Sequence, residues 1–81
     1  MNEIENIRKN IDLIDNKIAS LLEQRLKEIQ KIKKIKNNKR IKVINREREK
    51  EILSKQDTKF SKRIFKKILK ESRKIQERSL T

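Results

Sequence analysis

The sequence predicts an all-α fold with three helices per chain, one long, one short and one medium, assembled as an intertwined helical-bundle homodimer. Three observations carry that expectation. Apolar residues recur at alternating steps of three and four along most of the 81 residues, the pattern of a single buried stripe on a helix. Gly and Pro are both absent, so the positive-φ turns that β-rich folds rely on are scarce. The first periodic stretch is also too long for the rest of the chain to cover.

That first stretch reads Ile4, Ile7, Ile11, Ile14, Ile18 and Leu21, and after Arg25 it resumes at Ile29 and Ile32. A second row reads Arg8, Asp15, Leu22, Ile29 and Lys36. Nothing in it stops a helix, which is expected over about 3–36. The Asn-rich segment Asn37, Asn38, Lys39, Arg40 is the clearest break. A short helix is expected over about 42–54, with Ile44, Ile52 and Leu53 as its apolar contacts. Asp57 and Thr58 then offer a side-chain cap for a third helix over about 59–78. Its stripe is Phe60, Ile64, Phe65, Ile68 and Leu69, continued by Ser72, Ile75 and Gln76. With no linker or repeat, residues 1–81 are expected to form one domain.

Length argues for the partner. A helix of about 33 residues is roughly 50 Å long at about 1.5 Å per residue. A compact chain of 81 residues spans only about 30 Å. The long stripe must therefore be buried by a second copy.

Composition narrows the function. Cys and His are absent, which removes disulfides, thiol catalysis, zinc sites built on the usual ligands, and imidazole acid–base chemistry. The net charge of +13 draws the chain toward polyanions or small anionic ligands. No apolar run approaches membrane-spanning length and the first residues hold no leader-like core, so a cytoplasmic protein is expected.

The informative residues are polar ones on the apolar faces. Arg25 occupies the heptad register of Ile4, Ile11, Ile18 and Ile32. Lys36 and Arg8 share the row of Leu22 and Ile29, and Ser72 and Gln76 continue the face of Phe65 and Leu69. An inward charge is expensive unless paired or bound to an opposite charge. Each residue also has an ordinary reading. Arg25 could pair with Glu28 or Glu47, and Lys36 could serve a helix C-terminus. Arg8 could be a flanking surface charge, and Ser72 and Gln76 plain polar residues. Together they describe a polar pocket for a small anion.

Their order and spacing resemble those of the all-helical chorismate mutases over nearly the whole chain. Arg8 precedes Ile11, Ile14 and Asp15, and Leu21, Leu22 and Arg25 follow. Lys36 ends the first helix, Arg46 and Glu47 open the second, and Phe65, Ile68, Leu69, Ser72 and Gln76 mark the third. The resemblance implies rearrangement of chorismate to prephenate, a step of aromatic amino-acid biosynthesis, without cofactor or metal. It implies that Arg8 and Arg25 bind the two substrate carboxylates, with Arg46 as a secondary contact. Lys36 and Gln76 would donate to the ether oxygen, Glu47 would accept from the ring hydroxyl, and Ser72 would support the ring carboxylate. Arg8 and Arg25 are 17 residues apart, roughly 25 Å along one helix, so Arg8 would come from the partner subunit. Where the family often has an Asp, this chain has Val43. If a backbone amide suffices there, the substrate contact is kept; if a carboxylate orients Lys36, activity falls.

Two other readings compete. An isochorismate pyruvate-lyase would use the same anion recognition on the same fold. A basic helical dimer could bind nucleic acid through Lys31, Lys33, Lys34, Lys36, Lys39, Arg40 and Lys42. That reading lacks stacking aromatics and a groove-reading helix, so nucleic acid is expected to bind only nonspecifically.

Overall fold

The computed structural model describes residues 2–39 and 45–77, with backbone alone at 37–39. The described residues form three helices: α1 (Glu3–Lys39), α2 (Arg46–Ser54) and α3 (Lys59–Glu77). None of them is in a strand. The all-α fold of one long, one short and one medium helix is therefore as expected.

Side chains from outside each helix help set where it begins. The Asn2 Oδ1 accepts from the Ile4 amide at 2.9 Å, and Glu3 and Glu5 add negative charge to the first turn of α1. The helix runs on to Lys39, past the expected break at Asn37 and Asn38. Asn disfavours helix by well under about 1 kcal/mol relative to Ala. An established helix propagates through such residues unless Gly or Pro intervenes.

α2 begins at Arg46, later than expected, because the extended Asn45 (φ −118°, ψ 93°) is its cap. The Asn45 Oδ1 accepts from the Arg48 amide at 3.0 Å. Nine residues make a marginal helix in isolation, so α2 depends on this cap and on packing through Ile52 and Leu53. For α3, Thr58 is the capping residue: its Oγ1 accepts from the Ser61 amide at 3.0 Å.

The α2–α3 turn is closed by Gln56, whose side chain donates to the Ile52 carbonyl at 3.1 Å and accepts from the Ser61 hydroxyl at 3.3 Å. α3 packs against both other helices. No Cα of α2 lies within 8 Å of α1 among the described residues.

Covered surface is scarce within one chain. Leu69 is the single buried apolar residue among those described, joined by Ser72 and Lys33. The described part is 57 Å long with a radius of gyration of 16.4 Å, against about 12 Å for a compact chain of this length. α3 reaches only the C-terminal half of α1. Ile4, Ile11 and Ile18 stay 48–56% exposed.

Candidate active site

Because α1 and α2 stand apart on α3, a cleft of about 400 Å³ opens between them. Each helix lines it with one stripe. α1 presents Arg25, Ile29, Ile32 and Lys36, at helical steps of four, three and four. α3 presents Leu69, Ser72, Arg73 and Gln76, and α2 presents Arg48, Glu49 and Ile52 below its cap Asn45. Among the described residues, four cations (Arg25, Lys36, Arg48, Arg73) face two carboxylates (Glu28, Glu49), a formal excess of +2.

The polar groups are tied into short chains. Arg25 Nη1 donates to the Ser72 hydroxyl, which donates in turn to the Ile68 carbonyl at 2.8 Å. Lys36 Nζ donates to Gln76 Oε1 at 2.8 Å, and Gln76 Nε2 donates to the Ser72 carbonyl at 3.3 Å. α3 thus offers both α1 cations uncharged hydrogen-bond partners. Burial lowers the Arg25 pKa from its ordinary value, and repulsion from the Arg48 guanidinium adds to the effect. Arg48 also donates to Glu51 on its own helix at 3.1 Å, and the repulsion that remains between the two guanidiniums favours an anion that lies across both.

The Arg73 Nη1 donates to both oxygens of Glu49, each at 2.8 Å. Both side chains are less than one-third exposed, so this pair is screened less than a surface one and ties α2 to α3.

The expected site residues divide. Arg25, Lys36, Ser72 and Gln76 meet in the cleft. Glu47 is exposed and does not line it; at about 100° per residue it sits roughly 200° around the helix from Glu49. There it places negative charge in the first turn of α2. Arg46 lines a separate hollow on the far side of the α2–α3 contact. Arg8 is exposed, paired with Glu5 at 3.0 Å, at the other end of α1. Val43 lies outside the described residues.

Arg48, Glu49 and Arg73 line the cleft although the sequence did not single them out. A signal for the first two was present: stepping back from Ile52 by three and four lands on Glu49 and Arg48, not on Glu47. The expected basic cluster is also divided. Lys36 turns into the cleft and Lys33 is only 7% exposed. Lys33 follows Ile29 by one turn on the same face, where a lysine stem packs while its head reaches outward.

The cationic cleft and nearly all of the three helices lie within a stretch that a family comparison identifies. The sequence model of the family described as chorismate mutase type II matches residues 7–77. The chain belongs to that family. It is therefore a chorismate mutase, an isomerase-type enzyme of aromatic amino-acid biosynthesis acting on chorismate, and that assignment does not favour the lyase or the nucleic-acid reading. Searches of curated proteins and of solved structures gave no match. Among the described residues, no helix of this chorismate mutase is long and apolar enough to cross a membrane.

Proposed function

We propose that the chorismate mutase reaction takes place in the α1–α2 cleft, with Arg25, Arg48, Lys36, Gln76 and Ser72 as its working groups. The observation that carries this is the convergence of Arg25, Lys36, Ser72 and Gln76 in one cleft with an excess charge of +2, opposite to that of a dicarboxylate. Chorismate rearranges within itself. The ether C–O bond breaks while a C–C bond forms between the enolpyruvyl group and the ring, with no external nucleophile, proton or electron. The site has two tasks.

One is to hold the compact conformer in which the two reacting carbons approach, which lowers the entropic part of the barrier. Arg25 and Arg48 do this by binding carboxylates, with the Ser72 hydroxyl keeping the Arg25 guanidinium in place. The other is to stabilise the negative charge that grows on the ether oxygen as its bond to the ring breaks. Lys36 and Gln76 are already bonded to each other at 2.8 Å, and both aim donors at that oxygen once substrate enters. Glu49, fixed by Arg73, is the carboxylate placed to accept from the ring hydroxyl, since Glu47 stands on the exposed face.

The exposed first half of the α1 stripe supports an intertwined homodimer in which the partner subunit's Arg8 reaches the cleft. Cytoplasmic localisation goes with such an enzyme, and nucleic acid is a nonspecific partner of its surface lysines at most. All residues 1–81 serve this one domain.

The test is prephenate formation from chorismate by wild type, Arg25→Ala, Lys36→Ala and Arg8→Ala, with isochorismate assayed in parallel. Each variant should keep its helical circular dichroism and lose at least about a hundredfold in kcat/KM. Mixing Arg8→Ala with Arg25→Ala should restore about a quarter of wild-type activity, because half the dimers become mixed and one of their two sites is whole. Full activity in Lys36→Ala would remove the cleft from the mechanism. No recovery on mixing would remove Arg8 from the partner's site.

A further inference from the structure

A second hollow, of about 460 Å³, opens on the opposite side of the α2–α3 contact. Arg46, Lys66, Lys70 and Arg73 surround it over a floor of Leu53 and Leu69, and Glu49 is the one carboxylate in its lining. Four cations against one carboxylate leave a formal +3 on a concave surface, where low-dielectric walls concentrate the field. On α3 the cations follow helical steps of four and three, so Lys66, Lys70 and Arg73 point the same way. Among the described residues, Arg73 alone of the four has a carboxylate partner.

Arg73 and Glu49 line this hollow and the substrate cleft alike. Their ion pair is the partition between the two.

We propose that the hollow is a second anion site that takes a small, multivalent, phosphate-type oxyanion, and that its occupation weakens substrate binding across the Arg73–Glu49 partition. This coupling rests on the cleft being the chorismate site. A multivalent oxyanion presents several acceptor oxygens to cations from both helices at once, which a single carboxylate does not. The hollow's concave form fits a compact anion better than an extended polymer backbone. Once bound beside Arg46, Lys66 and Lys70, the anion competes with Glu49 for the Arg73 guanidinium. The Glu49 carboxylate then faces the cleft with its charge less balanced and repels the incoming dianion. KM rises while kcat, set by Lys36 and Gln76, changes little.

The probe is inorganic pyrophosphate, titrated calorimetrically into the full chain at constant ionic strength. Lys66→Gln/Lys70→Gln should weaken binding about tenfold through loss of two cationic contacts. Lys59→Gln/Lys62→Gln removes the same charge from α3 outside the hollow and should weaken it less than about twofold. In the kinetic arm, pyrophosphate should raise KM for chorismate in wild type but not in Lys66→Gln/Lys70→Gln, whose KM without pyrophosphate should equal that of wild type.

Equal weakening by both variant pairs would reduce the site to net-charge attraction and overturn it. Inhibition that survives in Lys66→Gln/Lys70→Gln would place pyrophosphate in the substrate cleft and overturn the coupling. Tighter binding of a short single-stranded DNA, with the same dependence on Lys66 and Lys70, would overturn the small-anion reading. Calorimetry reads the hollow without turnover. A chain that binds pyrophosphate through Lys66 and Lys70 yet leaves chorismate untouched would sink the reading of the cleft, and the coupling with it, while upholding the anion site.

Discussion

Arg25 is held part-buried between the Ser72 hydroxyl and a second guanidinium, that of Arg48. Its lowered pKa means that the folded chain resists the charge that the proposed site needs. The guanidinium stays charged across the range in which the protein folds, so its desolvation and the repulsion from Arg48 stand as a cost to folding. An unbranched apolar residue of similar length removes the penalty at neutral pH. Arg25→Met should therefore melt no lower than wild type in a calorimetric scan while losing roughly a hundredfold in kcat/KM. A melting point lowered by more than about 5 °C, or 1 kcal/mol for a chain of this size, would show that the Ser72 bond matters more than the repulsion.

Ser72 and Gln76 show why single residues were weak signals. Each is an ordinary polar residue on a helix, and only their bonds to Arg25 and Lys36 bring them into the candidate site.

At the scale of elements, α2 decides which side chains face the cleft. Its phase follows from where it starts, and Asn45 sets that start. The helix rows that contain Ile52 carry Arg48 and Glu49, while Glu47 falls on the exposed side. Asn45→Ala removes an acceptor for a first-turn amide and should cost about 1 kcal/mol. The melting point should drop by about 5 °C, and KM should rise by a larger factor than kcat falls, because Arg48 and Glu49 ride on that turn. Unchanged kinetics in a less stable Asn45→Ala would show that substrate binding does not depend on the phase of α2. The continuation of α1 through Asn37 and Asn38 has the same lesson in reverse. Composition marked a break there, but neither Asn forbids helix, and the helix ran on.

For the whole molecule, the decisive quantity is apolar area left uncovered. Ile4, Ile7, Ile11, Ile14, Ile18 and Leu21 are each about half exposed or more, and each would contribute about 1 kcal/mol if a second chain covered the rest. The expected outcome is a melting temperature that rises with protein concentration, since association then stabilises the fold. Ile11→Glu should abolish that dependence and leave a poorly helical monomer in sedimentation and circular dichroism. A well-folded, active Ile11→Glu monomer would show that the stripe is not the dimer contact.

Periodicity, with Gly and Pro both absent, was enough to determine three helices and their apolar faces, because a helix buries one stripe wherever it packs. The order of Arg8, Arg25, Lys36, Ser72 and Gln76 was enough to place the chain in its family, because a site built on helices leaves its residues at helical spacing. Tertiary structure decided what spacing does not encode. Whether Arg46 or Arg48, Glu47 or Glu49 faces the cleft depends on the rotation of a nine-residue helix set by one cap and two half-buried apolar side chains. The Arg73–Glu49 pair, between residues 24 apart, and the second hollow behind it exist only once α2 lies on α3. Neighbours along the chain report a face, and only packing reports what that face meets.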